Sequence, residues 1–189
     1  MENEWTQHRF SGGALALDLV NTVVRRNDPK RVFDRLGDVR DANQFARAAA
    51  EFRQDELGGG FQFAVPDGTE FSTLLELREK IYDCFAPPDA GAAGRLSTLG
   101  SLLGASEQAL AEAGPDSLLC HAVLSWMRLN SADKRARLRA CPNCDWLFID
   151  KSRNGSRIWC DMAVCGNRQK ARLNYEKKRR QPARETKAA

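Results

Sequence analysis

Cys141-Pro142-Asn143-Cys144 and Cys160-Asp161-Met162-Ala163-Val164-Cys165 are two cysteine pairs separated by the fifteen residues Asp145 to Trp159. A two-residue gap lets both thiolates of a knuckle turn toward one ion, and the fifteen-residue excursion is long enough for a hairpin to return the second pair. Four thiolates complete the tetrahedral sphere of zinc and leave no open position. Cys141, Cys144, Cys160 and Cys165 are therefore expected to hold one structural Zn2+. Competing readings explain less. A redox Cys-x-x-Cys pair leaves Cys160 and Cys165 idle, and disulfides need an oxidising compartment. An iron–sulfur cluster also takes four cysteines and stays the competing metal.

Working outward, Trp146-Leu147-Phe148-Ile149 is a compact apolar segment, Asn154-Gly155 is a hairpin-turn signal, and Arg157-Ile158-Trp159 suits a returning strand. Asp161 is placed to cap a helix from about Met162 to Arg179. Cysteine pair, hairpin, cysteine pair and helix is the order of a treble-clef-like zinc finger, with Trp146 and Trp159 as its small core. Upstream, Arg135, Arg137 and Arg139 alternate with Ala136, Leu138 and Ala140, which suits either a strand or a helix end.

Before residue 134 the apolar spacing is helical. Leu15 to Arg26 reads as a largely buried helix, although its β-branched half also suits a strand. Asp38 to Phe52 has three-and-four spacing with Asp38 as cap, and Phe61–Val65 suits a short extended segment before the turn Pro66-Asp67-Gly68. Leu74, Leu77, Ile81, Cys84 and Phe85 make the next helical face, which stops at Pro87-Pro88. Two more helices follow: one uses Leu96, Leu99, Leu102, Leu103, Leu110 and Ala113, the other, capped at Asp116 or Ser117, uses Leu119, Ala122, Val123, Trp126 and Leu129. The fold class is mainly α: a helical domain over 1–133, a zinc finger over 134–180 and a disordered tail over 181–189. A finger of that size buries too little apolar surface to fold alone. Zinc removal is thus expected to unfold it while leaving much of the N-terminal helix.

Charge separates along the same line. Up to Asp133 there are 13 Lys and Arg against 20 Asp and Glu, a net of −7; from Lys134 onward there are 16 against 5, a net of +11. Such a basic end attracts a polyanion, while the acidic part repels one. No stretch of about 18 uncharged apolar residues crosses a bilayer, and the first residues lack a signal-peptide pattern, so the expected compartment is a bacterial-type cytoplasm or an equivalent reducing compartment, with no membrane partner. His8 and His121 begin no H-x-E or H-E-x-x-H arrangement, and no phosphate loop or nucleophile elbow occurs. No enzyme is expected. Cys84 and Cys120 lie on apolar helix faces and read as inert thiols.

The stretch from Cys141 to Cys165-Gly166-Asn167-Arg168 resembles the CGNR zinc-finger family, and Gly13-Ala-Leu-Ala-Leu-Asp-Leu-Val-Asn-Thr-Val23 is similar to the start of that family's helical ABATE domain. The resemblance spans both ends of the chain. It implies a stress-responsive bacterial transcription regulator whose helical domain senses a ligand or mediates oligomerisation.

If the last helix forms, Arg168, Arg172 and Arg179 share one face and Lys170 and Lys177 broaden it, while Arg153 and Arg157 flank the Asn154-Gly155 turn. These seven are the candidate nucleic-acid contacts. Arg168 has a second candidate role, bracing the site on Trp159. Asp18 and Asn21 stand one turn apart in an apolar run and need partners. They suit either a structural hydrogen-bonded pair or, with Arg25, the floor of a small-ligand pocket. DNA is the leading partner, with RNA, a small-molecule effector and a second copy of the chain as further candidates. The rival functions are a zinc-scaffolded protein-interaction adaptor and an RNA-binding stress factor.

Overall fold

The computed structural model describes residues 4–86 and 92–180; the tail expectation for 181–189 and the Pro87-Pro88 stop lie outside them. After a 3-10 turn at Gln7–Phe10 come α1 (Leu15–Val20), strands β1 (Val23–Val24) and β2 (Phe33–Asp34), α2 (Val39–Phe52) and the single turn α3 (Gln54–Leu57). Then follow α4 (Gly68–Phe85), α5 (Ala92–Glu112), α6 (Leu118–Leu129) and α7 (Ala132–Arg137). Strands β3 (Leu138–Ala140) and β4 (Leu147–Ile149) lead to a π-helical turn at Met162–Gly166 and to α8 (Asn167–Arg180). Mainly helical architecture with a small β-and-helix finger is the fold class read from the sequence.

Short polar side chains start the helices, at Asp38 and Ser117 as the sequence indicates and also at Asp67, read from the sequence only as part of a turn. Asp38 accepts from the N–H groups of Arg40 and Asp41, at 2.8 and 3.1 Å. Asp67 accepts from Thr69 and Glu70 while Glu70 answers from its carboxylate to the Asp67 N–H, a reciprocal capping box. Ser117 Oγ accepts from the Cys120 N–H at 3.1 Å.

All six residues of α1 are buried, and the helix packs between α4 and α6. Ala14, its first flanking residue, has no capping side chain, so the free N–H groups are met from afar: Leu15 donates to Glu56 at 2.8 Å and Ala16 to Ser125 Oγ at 3.0 Å. The helix ends at Val20, not at Arg26. Asn21 turns the chain, and β-branched Val23 and Val24 pair with Asp34 and Phe33 as a two-stranded ribbon. Arg25 therefore lies beyond the helix, in a left-handed conformation at φ 57°, and does not share the face of Asp18 and Asn21.

Asp18 is enclosed, and its carboxylate accepts from the Gly12 N–H at 2.9 Å and from Arg53 Nε. Arg53, itself buried, also donates to the Phe10 carbonyl. Burial pushes the Asp18 carboxyl up to about 6, with the Arg53 charge pulling the other way. Asp18 and Asn21 are structural braces whose polar atoms are taken up by protein; they do not floor a ligand pocket with Arg25. Gly12 is part of the same arrangement, since a Cβ there would sit 2.7 Å from Asp18 Oδ1 and 2.9 Å from Leu17 Cβ.

Two apolar expectations change. On α5 the core-facing residues are Leu102, Ala105 and Ala109, while Leu96, Leu103 and Leu110 are exposed. The small alanines let α5 approach the α4–α6 layer closely, which selects that face over the leucine-rich one. Phe61–Val65, read as a short extended segment, joins no sheet; its Ala64 N–H donates to the Asp116 carbonyl at 2.9 Å, and Phe61 and Phe63 make ring contacts with His121.

Removing the carboxylate of Asp18 leaves the Arg53 cation buried without its counter-charge. Asp18→Ala is expected to destabilise the fold by about 3–5 kcal/mol in urea denaturation. Gly12→Ala, which pushes a methyl into the same pair, is expected to cost about 1–3 kcal/mol. Unchanged midpoints for both variants would remove the pair from its central place.

Candidate metal centre and nucleic-acid surface

β3 and β4 pair antiparallel, with Leu138 opposite Ile149, Arg139 opposite Phe148 and Ala140 opposite Leu147. The loop between them is the first cysteine knuckle, so the knuckle itself is the hairpin turn. Cys141 N–H donates to the Trp146 carbonyl at 2.8 Å, Asp145 N–H donates back to the Cys141 carbonyl at 2.9 Å, and Asp145 is left-handed at φ 62°. This corrects the expected hairpin about Asn154-Gly155. That turn closes a loop around Asp150 instead, whose carboxylate accepts from Ser152 N–H at 2.8 Å and Arg157 N–H at 2.9 Å. Residues Arg157-Ile158-Trp159 are not a strand.

The second pair sits on the turn that begins α8. Asp161 accepts from Ala163 N–H at 2.7 Å and Val164 N–H at 3.1 Å, as expected of a cap. Gly166 allows close packing there, because a Cβ would meet Met162 Sδ at 2.4 Å and Trp159 at 3.2 Å. Asn167 binds the Ala163 carbonyl at 3.0 Å.

All four Sγ atoms lie within 4.8 Å of one another and are buried. Cys144 and Cys160 are 3.6 Å apart, Cys160 and Cys165 3.6 Å, and Cys165 and Cys144 3.7 Å. A tetrahedron with zinc–sulfur bonds of about 2.3 Å has edges of about 3.8 Å, so the sulfurs fit one ion. They are far beyond the sulfur–sulfur bond of about 2.05 Å in a disulfide. A multi-iron cluster would spread its ligands around a larger core. Asn143 Nδ2 donates to Cys165 Sγ at 3.3 Å, a bond that orients a ligand and favours its thiolate. Four protein ligands close the sphere, so this single zinc site is structural.

The finger is built into the helical domain. Asn21 Nδ2 donates to the Leu147 carbonyl at 2.8 Å, and Asn21 Oδ1 accepts the Leu147 N–H at 2.9 Å. Ile149 N–H donates to the Gly12 carbonyl at 2.9 Å, and Arg25 N–H to the Cys144 carbonyl at 3.0 Å. Leu147 and Ile149 belong to the same core as α1, α4 and α6, whereas Trp146 and Phe148 pack beside the cysteines. At the other end, His8 stacks on Trp146 with ring centres 5.2 Å apart and reaches Asp161 with Nδ1 at 2.9 Å. Burial holds His8 below the usual histidine range, against the opposing pull of Asp161.

The candidate nucleic-acid residues differ in availability. Arg153, Arg168, Lys170, Arg172, Lys177 and Arg179 are exposed. Arg172 pairs with Glu176 at 2.9 Å one turn along α8, and the Arg179 guanidinium stands 6.0 Å from the Tyr175 ring. Arg157 is half-buried and structural: its guanidinium lies over Phe148 at 4.9 Å and its Nε donates to the Trp159 carbonyl at 2.8 Å. Arg168 makes no hydrogen bond, ion pair or ring contact among the described residues, so the brace on Trp159 is not taken.

Sequence reading missed two arginines. Arg9 and Arg35 belong to the acidic part of the chain, yet they extend the basic surface. Burial, and then the charge of Arg168, lower the Arg9 pKa; burial, and then Arg9, bring Arg35 to about 10. Only folding places these cations in one field.

Because the finger shares hydrogen bonds and core residues with the helical domain, chelation of zinc is expected to loosen the whole molecule rather than the finger alone. Helical circular dichroism and tryptophan fluorescence should melt in one shared transition, at lower temperature than in the zinc-loaded protein. Asn21→Ala, which strands the Leu147 N–H and carbonyl, should lower the same transition by about 2–4 kcal/mol. A chelated protein that keeps its full helical melt would count against this coupling.

No curated protein matches the chain. The CGNR zinc finger family model matches residues 137–178. A second, for ABATE, described as "Putative stress-induced transcription regulator", matches residues 13–140. Together these ranges cover the central helix α1, the cysteine centre and most of α8, and the chain belongs to the ABATE family, with a CGNR zinc finger as its C-terminal part.

Proposed function

We propose that this protein is a transcription regulator that binds DNA through α8 and the adjoining basic surface, with the helical domain as its regulatory part. The observation that carries the reading is the character of α8. Between Asn167 and Arg180 it has seven Lys and Arg against one acid, Glu176, and its main packing contact is the π-helical turn that precedes it. A 14-residue helix is about 21 Å long and fits the major groove, where arginine forks meet guanine edges or phosphates. Arg168, at the base of the helix, adds to the field of Arg9. The zinc centre has no reacting role in this scheme; it fixes the angle at which α8 leaves the core. Among the described residues no helix is long and apolar enough to cross a membrane, and work on DNA would place the protein in the cytoplasm.

One observation favours the adaptor reading. Leu173 and Tyr175 are exposed on the same helix, at 54% and 64%, and would suit a protein partner. A salt titration of binding to mixed-sequence duplex DNA, with RNA in parallel, separates the readings. Arg168→Ala, Arg172→Ala and Arg179→Ala combined should retain zinc and flatten the dependence of log affinity on log salt by about 0.9 per lost phosphate contact. No binding of the zinc-loaded protein at low salt would rule out the DNA reading, and stronger binding to RNA would favour the RNA-associated factor.

A further inference from the structure

Most charged arginines of the helical domain have a carboxylate. Arg26 pairs with Glu79, Arg31 with Asp28, Arg40 with Asp38, Arg53 with Asp18, Arg78 with Asp34, and Arg128 with Glu56. Three arginines that lie together differ. Arg95 near the start of α5, Arg135 in α7 and Arg139 in β3 make no ion pair among the described residues. They line one cavity of about 340 Å³ with Cys84, Phe85 and Leu138, and among the described residues no Asp or Glu lines it. An adjoining hollow of about 420 Å³ shares Cys84, Arg95 and Arg135 and adds the side chains of Leu96 and Leu99.

Among the described residues the guanidiniums are positioned by neutral acceptors and a ring, with no carboxylate partner. Arg135 Nε donates to Asn130 Oδ1 at 2.8 Å, its Nη1 to the Cys84 carbonyl at 3.4 Å, and its Nη2 lies 3.3 Å from Cys84 Sγ. Its carbon stands 4.5 Å over the centre of the Phe85 ring. Arg139 uses only Nη1, donating to the carbonyls of Ala136 and Leu138 at 2.9 and 2.8 Å. The rest of its fork is available. Arg135 and Arg139 are half-buried, Arg95 is exposed, and the floor beneath them is apolar. Partly desolvated cations without counter-charge favour an anion, and arginine forks match the planar carboxylate bidentately. The volume lies in the range of small-ligand sites, and its apolar lining would leave inorganic phosphate with half its contacts unused.

We propose that this cavity binds a small monocarboxylate with an apolar chain, its carboxylate among Arg95, Arg135 and Arg139 and its chain against Phe85, Leu138, Leu96 and Leu99. The position suits an effector. Arg135 and Arg139 flank the junction of α7 with β3, and β3 runs directly into Cys141. Control of DNA binding by such a ligand rests on the reading of α8 proposed above; occupancy of the cavity does not.

The test is calorimetric titration of the full zinc-loaded protein with sodium octanoate, with 1-octanol and inorganic phosphate as separate probes. Octanoate is expected to bind once per chain, about tenfold or more tighter than either control, since the site rewards charge and chain together. Arg95→Ala, an exposed change that leaves the core alone, and Arg139→Gln should each weaken octanoate by about tenfold. In the unmutated chain, octanoate should slow iodoacetamide alkylation of Cys84, mapped by mass spectrometry, by about fivefold or more while leaving Cys120 unaffected. No octanoate binding at about 10 mM, equal binding of 1-octanol, unchanged affinity in both variants, or unprotected Cys84 would each overturn the site. Octanoate bound as expected by a protein that fails to retain duplex DNA would leave the site standing and remove only the DNA reading.

Discussion

The structure depends on the desolvation of α1. A six-residue helix buried on every side cannot use water for its polar groups, so each must find a protein partner. The partners come from four distant places: Glu56 and Ser125 meet the first N–H groups, Arg53 and Gly12 meet Asp18, and the Leu147 backbone meets Asn21. This one short helix therefore specifies where α3, α6, the N-terminal turn and the finger lie. Satisfying a buried network completely is worth more than its separate bonds suggest, and a half-satisfied one is costly.

The zinc centre extends this dependence. Its four thiolates gather the knuckle and the start of α8, but the β-strand leaving the knuckle completes the helical core with Leu147 and Ile149 while Trp146 and Phe148 face the cysteines. Alternation along one strand thus serves two cores at once. His8 and Asp161 close the opposite side. β3 and the knuckle join the helical domain to the turn that begins α8 through one shared cysteine cluster.

Local chemistry was legible in the sequence. The four cysteines, the helix starts at Asp38, Ser117 and Asp161, the α6 core face and the tryptophan core of the finger all follow from rules acting over a few residues. What escaped depended on distance or on competition between equal local signals. Nothing near Asp18 points to Arg53, 35 positions away, and nothing near Asn21 points to Leu147, 126 positions away. On α5 the leucines fall on two faces, and packing buried the one that carries Leu102 with Ala105 and Ala109. Asn154-Gly155 is a sound turn, but Leu147–Ile149 found its partner strand on the nearer side, across the knuckle. The basic surface was read along α8 and the Asn154-Gly155 turn, without Arg9 and Arg35, because these sit in an acidic stretch and come near Arg168 only through the fold.

The bond between Asn21 and Leu147 carries a consequence for synthesis. Ribosomes deliver α1 long before β4, so the central helix emerges with a polar side chain whose only buried partners have yet to be made. The helical domain must wait in an incomplete state until the last third of the chain appears and the cysteines capture their ion. Ion capture by the four cysteines and completion of the core around α1 are thus linked, late steps of one folding reaction.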